Sequence, residues 1–310
     1  MASTNNQHGS ALARVIGVVA LLIVATTPFV LHFGQKRHNV LPFDVDKQFP
    51  IDSKLVGGEA FASTIKALME HELNGTTGWR PNDFILWGPT LWADNNSNRQ
   101  LGVLQAVRES LRVLKDHLTK VSSNEFDVNL VEADTDFRND ARKLWLPSAE
   151  SKFREGTRHL QLYIDGLAAT PPKSRPINRR NIELIRLFQS WSDMLGDAHA
   201  RLYRTTDSFF ETDDDFYFAQ GVAHAIYHLT RAIAHEYQED FHDRQIIQDL
   251  LHEVAEALGK AALLKPLIVF NGNPDGIFAN HRHNLDAYIN EARQKIYSIR
   301  EELQRGGGGS

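Results

Sequence analysis

The chain contains no cysteine. That excludes a disulfide framework, thiolate metal ligands and a cysteine nucleophile, and it suits an oxidising or a reducing compartment equally. No GxxxxGK[ST] phosphate loop, no GxGxxG turn and no GxSxG elbow occurs, so the usual signatures of nucleotide binding and of α/β-hydrolase chemistry are missing. Strand patterning is scarce as well. LIVF, residues 267–270, is a short apolar segment with no obvious partner. Acidic residues are absent from the first 40 positions, which hold three of the 34 basic residues, and the remainder carries a net charge of −8. A body this acidic is a poor match for nucleic acid or for an anionic lipid surface, both of which call for clustered Lys and Arg.

What is present begins with residues 15–33, VIGVVALLIVATTPFVLHF, nineteen positions without Asp, Glu, Lys or Arg. Spanning a hydrocarbon core of about 30 Å takes roughly 20 apolar residues in a helix, so the run is long enough for a transmembrane anchor. Arg14 before it and Lys36 and Arg37 after it read as interfacial flanks. A cleaved signal peptide would have a shorter core and small residues where Phe29, Leu31 and Phe33 stand. The expected organisation is a tail at 1–14, the anchor at 15–33 in contact with the lipid bilayer, a linker at 34–54 containing Pro42 and Pro50, and a helical body. The final five residues, GGGGS at 306–310, have the composition of an engineered linker and are set aside.

The body reads as all-α. A helix is expected from Glu59 to Leu73, ended by Asn74 and Gly75. Leu104, Val107, Leu111, Leu114, Leu118 and Val121 repeat at alternating spacings of three and four within 99–121, the seam of a bundle helix. Further helices are expected at 147–167, 178–203, 242–264 and 285–304, with another following the acidic and aromatic connector 209–221 and ending near Glu239. Asp213, Asp214 and Asp215 would cap that helix. The three prolines of ATPPKSRPIN, residues 169–178, mark a boundary between two antiparallel sub-bundles, 55–170 and 178–305. The segment 79–98 holds Trp79, Trp87 and Trp92, and these with Phe278 are the candidate partner-binding residues, their apolar bulk being covered either by the bundle or by a partner.

Two segments invite a metal. Asn271, Asn273, Asp275 and Gly276 imitate the start of a calcium loop, but the twelfth position, where a bidentate glutamate belongs, is Arg282. His224, His228, His235 and His242, spaced four, seven and seven, would share one face of an unbroken helix with Glu239. Imidazole and carboxylate on one face suit zinc or iron, giving His228, His235, Glu239 and His242 as candidate ligands. The pattern departs from known ligand spacings: there is no HExxH, and only one Glu-x-x-His (Glu239 to His242) where a di-iron bundle needs two. A stripe of ordinary histidines, with no cofactor, is the default.

Four blocks carry a wider likeness: WRPNDFILWGPTLWADNNSNRQLGVL, LPSAESKFREGTRHLQLYI, DDDFYFAQGVAHAIYHL and VFNGNPDGIFANHRHNLDAYINEAR. Spread over residues 79–293, they resemble the recurring blocks of the DUF2333 family of proteobacterial proteins. The resemblance implies an inner-membrane protein with a single N-terminal anchor and its large domain in the periplasm, and it supplies no catalytic residues. The expected function is that of an envelope scaffold or assembly factor working through protein contacts or self-association. The alternative is a metal-dependent enzyme using the histidine face.

Overall fold

Side chains that must leave water decide how this chain folds, and the regular apolar spacings locate most of its helices. The computed structural model describes residues 5–38, 44–50, 55–75, 78–83, 94–120, 125–204, 209–264 and 281–307, with helical side chains at 5–10, 28–29, 31–33, 35–38, 94 and 209–212 excepted. Among these residues the structure is helical, without strands: α1 (Asn5–His38), α2 (Val45–Gln48), α3 (Glu59–Asn74), α4 (Asp94–Val113), α5 (Val128–Phe137), α6 (Ala149–Ala168), α7 (Asn181–Tyr203), α8 (Phe209–Glu236), α9 (Gln245–Ala262) and α10 (His281–Gly307). A π-helical turn, Leu114–Leu118, continues α4 and ends where the Thr119 N–H reaches the Leu114 carbonyl at 3.0 Å.

The seam residues Leu104, Val107, Leu111, Leu114 and Leu118 are all sealed from solvent, as their spacing requires. α4 lays this seam on α8, the central helix of the bundle, which also packs on α3, α7 and α9. α10 closes over α7 and α9, and α5 pairs with α6 against α3. Contact between α4 and α8 is backbone to backbone. A Cβ built on Gly102 would stand 2.1 Å from the Phe218 carbonyl oxygen, and one on Gly221 2.0 Å from that of Arg99. Only hydrogen fits at either position, so these two glycines set the separation of the two axes.

Several expectations change. The polar interval around Asp127, Asp134 and Asp136 contains α5, which the apolar pattern missed because its acidic residues are paired within the protein. Asp127 accepts from the N–H groups of Asn129 and Leu130 as an N-cap. Asp134 meets Lys115 at 2.5 Å and Arg138 at 2.9 Å, and Asp136 meets Lys152 at 2.9 Å. Asp213, Asp214 and Asp215 do not precede α8 but lie within it, since the connector 209–221 is helical. Asp214 accepts from Asn98 Nδ2 at 2.5 Å and Asp215 faces Arg201 at 3.8 Å. The expected linker contains α2, and α8 stops at Glu236, short of Glu239.

The proline segment 169–178 packs on the bundle. The Ile177 N–H donates to Gly57 O at 3.0 Å, the Asn178 N–H to Leu118 O at 2.5 Å, and Tyr163 Oη to Arg175 O at 2.7 Å. One hydrophobic core runs through helices on both sides of it. Helix α10 runs on into Gly306 and Gly307. Segment 267–270 and the turn residues Asn271, Asn273, Asp275 and Gly276 lie outside the described residues. Arg282 sits in α10, buried, donating to the carbonyls of Arg201 and Arg204 at 2.9 and 3.1 Å. Among the described residues no helix is long and apolar enough to cross a membrane. The expected anchor 15–33 is helical throughout, and its side chains at 28–29 and 31–33 lie outside the described set.

Candidate functional site

The histidines expected on one face of one helix are distributed by the fold into three environments. His224 and His228, one turn apart on α8 with ring centroids 4.9 Å apart, are buried in the bundle. His235 lies near the end of the helix, edge-on to the ring of Phe49 at 6.0 Å. His242 is beyond the helix, 85% exposed beside Asp243, and Glu239 is in the exposed turn before it. α8 ends at Glu236. Glu236 turns its carboxylate inward and accepts the N–H groups of Gly58 at 3.0 Å and Phe61 at 3.1 Å, capping α3 across the bundle. Gly58 allows this approach with φ +102°, a conformation other residues rarely adopt. Burial raises the Glu236 pKa, against the opposing effect of its backbone donors.

His228, His235, Glu239 and His242 are therefore not assembled around a common point, and among the described residues no three His, Asp or Glu side chains gather as metal ligands. What α8 does assemble is a polar layer inside an apolar bundle. Arg99 of α4 and Glu72 of α3 form an ion pair at 2.8 Å with both side chains at most 2% exposed. Gln100, next to it, ties down the segment after α3: its Nε2 donates to Gly78 O at 2.9 Å, and its Oε1 accepts the Arg80 N–H at 2.8 Å. Glu72 Oε2, Arg99 Nη2 and His224 Nε2 have no hydrogen-bond partner among the described residues.

Desolvation is the main cause that holds His224 neutral, its pKa falling well below the ordinary histidine value, and the charge of Arg99 adds to it. His228 is lowered to about 3, first by burial and then by Arg231 and Arg99. Two neutral imidazoles beside a buried guanidinium–carboxylate pair can donate and accept hydrogen bonds. They cannot take up a proton near neutral pH without cost to the fold.

The candidate partner-binding residues are placed only in part. Trp79 is buried. Its indole N–H donates to Ala141 O at 2.8 Å and its ring meets Phe153 edge-on at 5.0 Å, so it serves the core. The reason is general: a large aromatic with one satisfied polar atom stabilises an interior more than a surface. Trp87, Trp92 and Phe278 lie outside the described residues. Among the described residues the most exposed aromatic is instead Trp145, 80% exposed next to Leu146 at 94%, between α5 and α6. The pairing of His199 Nδ1 with Asp286 Oδ1 at 2.6 Å, which ties α7 to α10, was equally invisible to spacing because 87 positions separate the two residues.

A family model described as "Uncharacterized protein conserved in bacteria (DUF2333)" matches residues 6–209 and 196–306. The chain belongs to the DUF2333 family. The two matched DUF2333 stretches overlap within α7 and at the start of α8, and together they reach into every described helix from α1 to α10. The α4–α8 glycine contact, the Glu72–Arg99 pair and α2 thus all belong to the DUF2333 region. Comparison with curated proteins and with solved structures found no match.

Proposed function

We propose that the protein is a membrane-anchored helical scaffold or assembly factor of the bacterial cell envelope, held by α1 in the inner membrane and acting through protein contacts or self-association, with its large domain in the periplasm. One observation carries the reading. Val15, Ile16, Leu21 and Val24 point to different sides of α1, and their exposures are 59, 60, 69 and 50%. A helix apolar on all sides and uncovered by its own protein calls for an apolar surrounding. The sequence run 15–33 has the length for a bilayer core. The exposed Trp145 and Leu146 provide apolar surface for a protein contact at the tip between α5 and α6.

Carbonate extraction of membranes followed by protease accessibility from each side tests the anchor and the topology. Retention in the pellet with the body cleaved only from the periplasmic side is expected, and release into the supernatant would overturn the anchor. Mass measurement by light scattering in detergent tests self-association. A monomer that captures no envelope protein on in-cell crosslinking would refute the scaffold role.

A further inference from the structure

A groove of about 610 Å³ runs between α8 and α9, within the size range of small-molecule sites. Its floor is made of small or apolar residues, Ala234 from α8 and Leu251, Ala255 and Gly259 from α9. Gly259 lets the Tyr227 ring lie close on α9, since a Cβ there would stand 3.1 Å from it. Arg231 and His235 edge it on α8, and His252 and Lys260 on α9. Glu256 at this rim is already engaged by Lys260 at 2.7 Å.

The protein itself marks what Arg231 attracts. α2 lies at the groove mouth and brings two carboxylates to one guanidinium: Arg231 Nη2 donates to Asp44 at 3.1 Å and to Asp46, while Nη1 donates to the Tyr227 hydroxyl at 3.1 Å. Beside these charges α2 buries Val45, and Phe49 follows it into the protein against His235. The His235 Nε2 is a buried atom with no hydrogen-bond partner among the described residues. An acidic group next to apolar bulk is thus the chemistry this end of the groove already holds. Asp46, which lines the mouth, is 67% exposed, so an external anion can compete with it. Residue 44 follows the end of α1 by six positions, a chain reach of at most about 20 Å.

We propose that the α8–α9 groove binds one anionic amphiphile, its acyl chain along Ala234, Leu251, Ala255 and Gly259 and its carboxylate or phosphate at Arg231 in place of the α2 carboxylates. This rests on the reading of α1 as a membrane anchor, which puts the groove mouth near the headgroup layer. It concerns a single molecule in a cleft, not the anionic surface that the acidic body disfavours. A free fatty acid and a phospholipid both present this chemistry.

The full chain in phosphatidylcholine nanodiscs, doped in separate arms with a diazirine-bearing fatty acid or a diazirine-bearing phosphatidylglycerol, is irradiated and the labelled peptides are mapped by mass spectrometry. Label is expected in residues 227–238 and 251–263, from whichever arm carries the true headgroup. It falls at least about fivefold in Ala234→Phe, in Leu263→Asp at the far end, and in Arg231→Gln, the loss of roughly 1 kcal/mol of binding. The double variant Asp44→Asn/Asp46→Asn, which removes the competing carboxylates, raises it. Leu263 is 43% exposed, so that variant keeps its fold if Ala234→Phe does not. Groove label in neither arm, or label unchanged in all of these variants, overturns the proposal. Labelled α1 with an unlabelled groove leaves the anchor standing and removes the groove, whereas fatty-acid label in the groove with none on α1 does the reverse.

Discussion

Lowering the pH should weaken this fold through His228 in a way that a single substitution can isolate. Its folded pKa of about 3 lies below the ordinary histidine value of 6.5, because burial and the charges of Arg231 and Arg99 disfavour the imidazolium, with His71 acting in the same direction and Asp44 against it. The unfolded chain therefore binds the proton more readily than the folded one. The contribution of His228 is full above the unfolded value and is lost as pH falls from 6.5 towards 3. Each pH unit in that window is worth about 1.4 kcal/mol, so by about pH 5 the loss approaches 2 kcal/mol. His224 adds a loss of the same sign. Urea unfolding of the full chain in a nonionic detergent, followed by far-UV circular dichroism at about pH 7 and about pH 5, gives the two stabilities. Carboxylates titrate in the same interval, so the informative quantity is the difference between the wild type and His228→Gln. The variant should lose about 2 kcal/mol less on acidification than the wild type does. Parallel losses in the two proteins, within about 0.5 kcal/mol, would refute the burial argument.

Gly221→Ala or Gly102→Ala should destabilise the fold by about 3 kcal/mol or more, beyond ordinary overpacking, because the obstacle is the facing backbone and no rotamer can relieve it; an unchanged denaturation midpoint would show that the helices part freely. Glu72→Leu alone should cost about 3–5 kcal/mol by leaving Arg99 charged and buried, while adding Arg99→Leu should recover most of that in a double-mutant cycle. Trp79→Phe should cost about 1 kcal/mol through the lost bond to Ala141 O. Trp145→Ser should leave unfolding unaltered within about 0.5 kcal/mol yet reduce any crosslink to a partner, and a large drop in stability would mean that Trp145 is covered in solution.

Helix positions were legible wherever an apolar stripe was long. Glu59–Leu73 was expected and Glu59–Asn74 observed; 178–203 was expected and Asn181–Tyr203 observed. The misses share one origin, which is polar residues stabilised by partners far away in sequence. α5 carries Asp134 and Asp136 because Lys115 and Lys152 meet them, and α8 begins at Phe209 although three aspartates follow. His224, His228 and His235 do lie on one helix, α8, but in different surroundings. α8 ends at Glu236, before Glu239, and Glu236 accepts the Phe61 N–H of α3, a contact across 175 residues that no local spacing reports. The Glu72–Arg99 pair was beyond reach for the same reason, since each residue alone reads as an ordinary solvated charge.

The clasp formed by α2 has a mechanical consequence. The chain leaving α1 meets Arg231 of α8 before it reaches the first turn of α3, and it is fastened there by two ion pairs and two buried apolar side chains. Any tension applied at the N-terminus is delivered first to the central helix, and the first turn of α3 takes up load only after the clasp has let go.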